Sequence, residues 1–428
     1  MELEKGGAKK MKTSITNLLL LPKNYSINKH MTQVEKLLKD HPVFSRLYQL
    51  EEAIHPVLRN MEEQGLIVAK DWFTTGLQEK KDQLTRVGRE INEYIGSSND
   101  GVVEEKTLRR FWEEKNLPIA TTFDSLKKYK HLNSTFQLMM EYKTCQTYLK
   151  MWDERLREEG TEIEGGVLIK GSWQSFSSYT GRITARNLPL TSMPAVMSNY
   201  VISPSGYQTY SIDFSNVELR LLGYYAKCDL LLKQFNQGVD VHAETAELIH
   251  QSLGGQSLNE EQARKLAKQF AYSLLYGAGT QTITKRMQKG FPNVTNADVV
   301  LLTDAFYEKY PELLCFLNER GDDEKLLTAF GGVKPVADFS RPQKKNFTLQ
   351  SSASVAIKVL LKVLVKHGIK IVHVIHDEVW IEIEKTQDLD CHLKDVISEF
   401  RTKIGKIFPG FPIEGLFSKE KIGGKDND

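Results

Sequence analysis

From Lys370 to Glu384 the chain reads Lys-Ile-Val-His-Val-Ile-His-Asp-Glu-Val-Trp-Ile-Glu-Ile-Glu, an alternating Val/Ile-rich pattern broken at His376-Asp377-Glu378. Period-two alternation puts every second side chain on one face, so each half reads as a strand and the whole as a β-hairpin with a polar tip. Most of the remaining chain has helical texture. A chain that must close such a hairpin into a sheet, and has few other strand-like runs, is expected to be α+β: one small antiparallel sheet with helical subdomains inserted between its strands.

Leu47, Leu50, Ile54, Leu58 and Met61 recur at steps of three and four, which predicts a helix over Phe44–Gln64. Gly65 stops it, and Leu66-Ile67-Val68 reads as a short strand. From Trp72 to about Glu158 the pattern is mostly helical, with loops at Gly96 to Gly101 and near Pro118. Val167 to Lys170 and Tyr207 to Ile212 read as strands, Val217 to Ala226 as a helix, and residues 240–320 as helical again. Residues 1–42 form a Lys-rich, weakly patterned lead-in. There is no internal repeat and no low-complexity stretch.

The 428 residues suit about three domains at roughly 150 residues each. Hydrophobic residues at 40% and charged residues at 26% fit a soluble globular protein. A net charge of +2 argues neither for nor against nucleic acid, so local patches must carry that question. Cys145, Cys228, Cys315 and Cys391 have neither zinc nor disulfide-framework spacing, which points to a reducing compartment. Leu18 to Leu21 is too short for a membrane span or a signal core, so a cytoplasmic protein without a membrane partner is expected.

Three constellations carry chemistry. In Tyr210-Ser-Ile-Asp213-Phe-Ser-Asn-Val-Glu218-Leu-Arg220, Asp213 stands where a strand gives way to a helix. A carboxylate on such a rigid edge suits a divalent cation, although Asp there also caps helices as a matter of course. In the hairpin, Asp377 and Glu378 crowd the tip, where an ordinary solvated turn would also tolerate Asp. If the strand ending at Asp213 neighbours the hairpin, the two aspartates meet, as a pair of Mg²⁺ ions roughly 3.5–4 Å apart requires. In the third, Arg264, Lys268, Tyr272 and Tyr276 recur at steps of four before Gly277. Each step advances about 6 Å along one helix face. Two cations suit a triphosphate and two rings a sugar and base; a solvated helix face with buried tyrosines is the plain alternative.

These segments resemble motifs A, B and C of the family A DNA polymerases, the bacterial DNA polymerase I type. The family's Asp-Tyr-Ser-x-x-Glu-Leu-Arg is matched at residues 213–220 with Phe214 for the usual Tyr. Its Arg-x-x-x-Lys-x-x-x-Phe/Tyr-x-x-x-Tyr-Gly is matched at 264–277, and its His-Asp-Glu at 376–378. Thr180-Gly181-Arg182, Pro194, Asp240-Val241-His242 and Asn346-x-x-x-Gln350 follow the family's order, and Leu58 to Val68 resembles the segment that opens its polymerase domain. The likeness covers roughly residues 43–415.

The resemblance implies a template-directed DNA polymerase acting on primer-template DNA and dNTPs with two Mg²⁺ ions, Mn²⁺ being able to substitute. It implies that Asp213 and Asp377 hold the metals and Glu378 supports them. Arg264, Lys268 and His242 would contact the triphosphate, with Tyr272 and Tyr276 against sugar and base, and Lys268 could protonate the leaving pyrophosphate. Arg182, Asn346, Gln350 and His376 would touch primer-template. Glu218 beside the sugar would leave little room for a 2′-hydroxyl, which speaks against the single-subunit RNA polymerases that share the motifs. Retention of both aspartates, Arg264 and Lys268 speaks against a catalytically dead DNA-binding relative.

A right hand is expected: palm entry at 43–70, thumb at 71–158, palm with motif A at 159–235, fingers with motif B at 236–325, and palm with motif C at 326–428. On the thumb, Lys127, Lys128, Lys130 and His131 could grip phosphates, or form an ordinary solvated cluster. With only about 42 residues ahead of the polymerase-like region, no proofreading domain is expected in this chain, and a separate exonuclease or replication protein is an expected candidate partner. Several positions depart from the family: Ala185 and Arg186, Thr191-Ser192, Ala271, Arg341 one residue early with Pro342 interrupting, and the ending Gly415-Leu-Phe-Ser-Lys-Glu-Lys.

Overall fold

The computed structural model describes residues 42–175, 178–252, 259–322, 325–327, 329, 333–335 and 339–423. All but the last residue of the expected lead-in therefore lies outside the described residues. In chain order the elements are α1 (Pro42–Gln64), β1 (Leu66–Ala69), α2 (Thr75–Ile95), α3 (Glu105–Glu114), α4 (Phe123–Tyr129), α5 (Ser134–Leu149), α6 (Arg155–Glu159), β2 (Thr161–Ile163), β3 (Gly166–Ile169), β4 (Ser172–Gln174), β5 (Thr184–Arg186), β6 (Val201–Ile202) and β7 (Tyr207–Phe214). There follow α7 (Val217–Ala226), α8 (Asp229–Asn236), α9 (Val241–Ser252), α10 (Glu260–Leu275), α11 (Thr280–Met287), α12 (Asn296–Lys309), α13 (Pro311–Asp322), β8 (Lys325–Leu327), β9 (Val333–Pro335), α14 (Arg341–Lys366), β10 (Lys370–Ile375), β11 (Glu378–Glu384), α15 (Leu389–Ile407) and β12 (Phe417–Lys421).

The chain divides into two compact units: one of Met1–Glu62, Trp173–Arg186 and Ser205–Lys421, the other of Glu63–Ser172, Asn187–Pro204 and Ile422–Asp428. The α+β reading holds. The single sheet does not: each unit has its own four-stranded antiparallel sheet, and β4–β5 and β8–β9 form two-stranded ones. Of the second sheet, the central strands β1 and β3 show in the sequence, but their pairing with each other does not, and β2 and β6, at three and two residues, are too short to show an alternation.

In the smaller unit the strand order is β2-β3-β1-β6, with Val68 opposite Val167 and Val201. Beside it, Val87, Ile91, Leu108, Trp112, Ala120, Leu126, Phe136, Met139 and Tyr142 form one apolar cluster. Trp112 stacks on Phe136 with ring centres 4.8 Å apart, and its indole N–H donates to Thr135 Oγ1 at 2.8 Å, so its polar atom is satisfied in the core.

In the larger unit the order is β10-β11-β7-β12. The predicted hairpin is β10–β11, and β11 pairs with β7 in unbroken register from Glu378↔Asp213 to Glu384↔Tyr207. Phe214 packs in a trio with Phe400 and Phe417, at 5.5 and 5.3 Å between ring centres. That apolar nest suits a Phe, which stands here in place of the Tyr of the motif that the sequence resembles. The core helix α14 is long and apolar enough to cross a membrane by length and composition, but 78% of that stretch is buried inside the protein, as in a soluble core helix. Pro342 does not interrupt it: Pro lies in its first turn, where a missing N–H costs nothing, after Ser340 and Gln343 cap it reciprocally. Arg341 pairs with Asp322 at 3.1 Å.

Candidate active site

The site is built on the end of β7. Asp213 lies opposite Glu378 of β11 on one side and Ser418 of β12 on the other. One residue on, the Phe214 N–H donates to the Asp377 carbonyl at 3.1 Å, which ties the hairpin tip to the strand end. The sheet therefore brings Asp213, Asp377 and Glu378 together, as the sequence reading required. Glu378 is held from within the sheet: its Oε1 accepts from Ser211 Oγ and Trp380 Nε1, both at 2.5 Å. Sequence reasoning missed Ser211 and Trp380. The signal was available, since residues two apart on a strand share a face.

Electrostatically the strand end is short of cations. Burial, then the Glu378 charge, raises the Asp213 carboxyl to about 6 against the pull of Lys268 and a hydrogen bond from Ser418. Burial, and then Asp213, also raises Asp377, with Arg182 opposing. Asp377 Oδ1 is buried and has no hydrogen-bond partner. Arg182 Nη2 lies 2.6 Å from Glu218 Oε1 and 3.8 Å from Asp377 Oδ2. Burial works against the Arg182 charge, but Asp377 and Glu218 outweigh it and hold its pKa above the ordinary value. Glu218 also accepts from the Tyr276 hydroxyl, and burial raises its own pKa. Arg182 is thus aimed into the carboxylate cluster. His376, on the hairpin tip, is held below its usual pKa by partial loss of water around its ring and then by the Arg182 charge.

The stripe lies on α10, which starts at a reciprocal Asn259–Gln262 cap with Glu260 and Glu261 in the first turn. Ala263, Leu266, Ala267, Phe270 and Leu274 are buried, leaving Arg264 and Lys268 exposed and Tyr272 and Tyr276 half-buried. Arg264 donates to Asp240 Oδ2 at 2.6 Å. The Tyr272 hydroxyl lies 3.5 Å from Asn216 Oδ1, so it faces the segment after Asp213 and not the helical core. Gly277, with φ +67, ends the stripe in the left-handed region.

Asn216 is a third residue that sequence reasoning missed. It sits at φ +59 before α7, and its Oδ1 also meets His242 Nε2 at 2.7 Å. His242 is buried, its Nδ1 has no hydrogen-bond partner, and burial lowers its pKa to about 4, so the ring is neutral near pH 7. The structure places His242 inside, against Asn216, and not on the open face with Arg264 and Lys268. Asn346 is buried with its Nδ2 3.5 Å from the Tyr276 carbonyl, and Gln350 is half-buried one turn on. In the other unit, Lys127, Lys128, Lys130 and His131 are all exposed at the end of α4, with Lys128 Nζ 5.0 Å from the Tyr129 ring centre.

No group of three metal-ligand side chains stands ready-made among the described residues. Two desolvated aspartates, one with an orphaned oxygen, nevertheless fit hard divalent cations of the Mg²⁺ kind, which take few protein carboxylates and complete their shell with water and substrate phosphate.

Comparison with known proteins agrees with this geometry. The family model for DNA polymerase family A matches residues 78–403. DNA polymerase I of Helicobacter pylori (strain ATCC 700392 / 26695) is 24% identical over 411 residues, covering 88% of this chain and 44% of that protein. DNA polymerase I of Aquifex aeolicus (strain VF5) is 22% identical over 400 residues, covering 87% of this chain and 67% of that protein. The chain thus spans less than half the length of the first relative and about two thirds of the second. Among solved structures, the POL domain of Pol1 from M. smegmatis, in complex with DNA primer-template and dNTP, has a TM-score of 0.70 at 18% identity, covering 91% of this chain and 72% of that one. At that identity the likeness speaks for the fold.

Proposed function

Since the chain belongs to DNA polymerase family A, we propose that it extends the 3′ end of a primer on a DNA template by adding deoxynucleotides. The observation that carries this reading is the cation-poor cluster of Asp213 and Asp377 at the end of β7, in a unit that also presents the Arg264–Lys268–Tyr272–Tyr276 stripe. In the reaction the primer 3′-oxygen bonds to the α-phosphorus as the bond to the pyrophosphate oxygen breaks. Asp213 and Asp377 would hold two divalent ions, which when bound neutralise charge on the attacking and leaving oxygens. Glu378, fixed by Ser211 and Trp380, supports that pair through the field it adds at Asp213.

Arg264 and Lys268 are charged, exposed and one turn apart, which suits them to bind the triphosphate, and the Lys268 ammonium can give a proton to the leaving pyrophosphate. Tyr272 and Tyr276 would flank sugar and base. Glu218, buried between Arg182 and Tyr276, would close the space a 2′-hydroxyl needs and so favour dNTPs. Arg182, Asn346, Gln350 and His376 would meet the primer-template, and the Lys127–His131 cluster would meet backbone phosphate. His242 would act on the triphosphate only after leaving Asn216. In this reading residues 71–158 are the thumb, 236–325 the fingers, and the carboxylate-bearing sheet the palm.

Primer extension by the purified chain, with Mg²⁺ and either dNTPs or rNTPs, tests the proposal. Template-dependent extension that prefers dNTPs and stops on chelation of the metal is expected. Absence of extension, or equal use of rNTPs, overturns it.

A further inference from the structure

Ser354 and Lys358 lie four residues apart on α14 and so project from one face. Both reach the same atom, the carbonyl oxygen of Gly181, 173 and 177 residues away in sequence: Ser354 Oγ donates to it at 2.6 Å and Lys358 Nζ at 2.7 Å. Lys358 Nζ also lies 2.5 Å from Glu51 Oε1 on α1, and the two side chains are 1% and 5% exposed. Lys358 is among the largest fully buried side chains of the chain. Burying an ion pair gains little stability over well-packed apolar residues, so such a pair calls for another reason.

Gly181 supplies one. It sits at φ +79 in a turn tied by its own N–H to the Ser178 carbonyl at 3.1 Å and by the Arg182 N–H to Ser178 Oγ at 3.0 Å. The next side chain is Arg182, which lies 2.6 Å from Glu218 and 3.8 Å from Asp377. The carbonyl that the buried pair grips is thus one peptide away from the only described cation within 4 Å of those two carboxylates. A charge-assisted bond to a carbonyl fixes the plane of that peptide, and so the direction in which Arg182 leaves the chain.

We propose that Glu51, Lys358 and Ser354 form a buried clamp on the Gly181 carbonyl that positions Arg182 against Glu218 and Asp377, and through Glu218 sets the discrimination between deoxy- and ribonucleotides. The selectivity part rests on the polymerase reading above; the clamp itself does not.

Ser354→Ala removes one of the two bonds without stranding a charge. Hydrogen exchange should then speed up at the Gly181 and Arg182 amides, while the central amides of α14 stay protected; unchanged exchange in the turn overturns the clamp whether or not the protein polymerises. In single-nucleotide extension, Ser354→Ala should lower the dNTP/rNTP ratio of kcat/KM by roughly three- to tenfold, the worth of one hydrogen bond. Placed on Arg182→Ala, which removes the group being positioned, the same substitution should change the ratio no further. An undiminished effect in that background means Ser354 acts elsewhere and overturns the positioning role. The double variant Glu51→Leu/Lys358→Met, which leaves no lone buried charge, should keep its thermal midpoint yet show the same loss of ratio. A normal ratio in that variant also overturns the proposal. If the unsubstituted protein extends no primer, the polymerase reading falls while the exchange measurement still decides the clamp.

Discussion

The two four-stranded antiparallel sheets share an architecture and differ in what stands at their strand ends. In the β2-β3-β1-β6 sheet the central strands meet through Val68, Val167 and Ile169, all buried, and the one acid on its strands, Glu162, is exposed. Gly166 is required there, because a Cβ at that position would come within 2.5 Å of the Val68 carbonyl oxygen. In the β10-β11-β7-β12 sheet the buried strand residues include polar ones, Thr209, Ser211, His373 and Glu382 among them, and near the end of β7 Asp213 stands beside Glu378 and Asp377, partly buried and short of cations. A carboxylate elsewhere shows that burdened acids are a choice of place. Glu399, on α15 and facing the end of α14, is held down at about 2 by hydrogen bonds from Lys366 and His367, with Lys403 adding to them. Where charge serves the fold it is surrounded by its opposite; at the end of β7 it is not.

The largest effect should come from emptying the strand end. Asp213→Ala or Asp377→Ala is expected to slow single-turnover extension by roughly a thousandfold or more, since metal-assisted charge stabilisation is worth several kcal/mol. A fluorescence titration should show primer-template binding retained. Glu162→Ala, at the end of the other sheet, should leave extension unchanged. Near-normal extension by either aspartate variant would erase the distinction between the sheets.

Next in size is Tyr272, whose hydroxyl faces Asn216 and not the core. A dideoxynucleotide lacks the 3′-hydroxyl that meets its own phosphates, and the tyrosine hydroxyl can supply that hydrogen bond instead. Tyr272→Phe should therefore raise discrimination against ddNTPs by about ten- to a hundredfold, the equivalent of roughly 1.5–3 kcal/mol. Equal dNTP/ddNTP ratios of kcat/KM before and after substitution would leave Tyr272 a packing residue.

Gly166→Ala should cost roughly 1–3 kcal/mol in denaturant unfolding, because the new methyl group collides with main chain that cannot swing aside. Catalysis per folded molecule should stay as it was, and a loss of rate at full folding would mean that this sheet does more than hold its unit together. The smallest effect belongs to Glu399. Its depressed pKa stabilises the fold above the unfolded value near 4.5, and that contribution disappears as pH falls toward about 2. Glu399→Gln should lower stability slightly at neutral pH and converge with the unsubstituted protein in acid; a difference that grows as pH falls would contradict the sign.

Much of this was legible in the sequence, for identifiable reasons. The hairpin, the helix over Val217–Ala226 and the stripe on α10 are local patterns, and periodicity records local structure faithfully. The meeting of Asp213 with the hairpin was conditional on strand adjacency, which the register supplies. Of the second sheet only β1 and β3 were legible; their pairing was not, and Val201–Ile202 is too short to carry a pattern. Neither were Asn216, which works through a left-handed backbone, nor the grip of Lys358 on Gly181, which no spacing along one element can encode.

The hairpin tip has a consequence for engineering this chain. β10 and β11 are joined by two residues, and the first of them, His376, sits at φ +50, a region where Gly is comfortable and a ring-bearing side chain is not. A search for heat-tolerant variants would be drawn to glycine there, and would be rewarded in melting temperature while loosening the peptide that carries Asp377. Selection for endurance and selection for turnover pull this one position in opposite directions, so a library screened for stability alone should accept glycine at the hairpin tip at the expense of turnover.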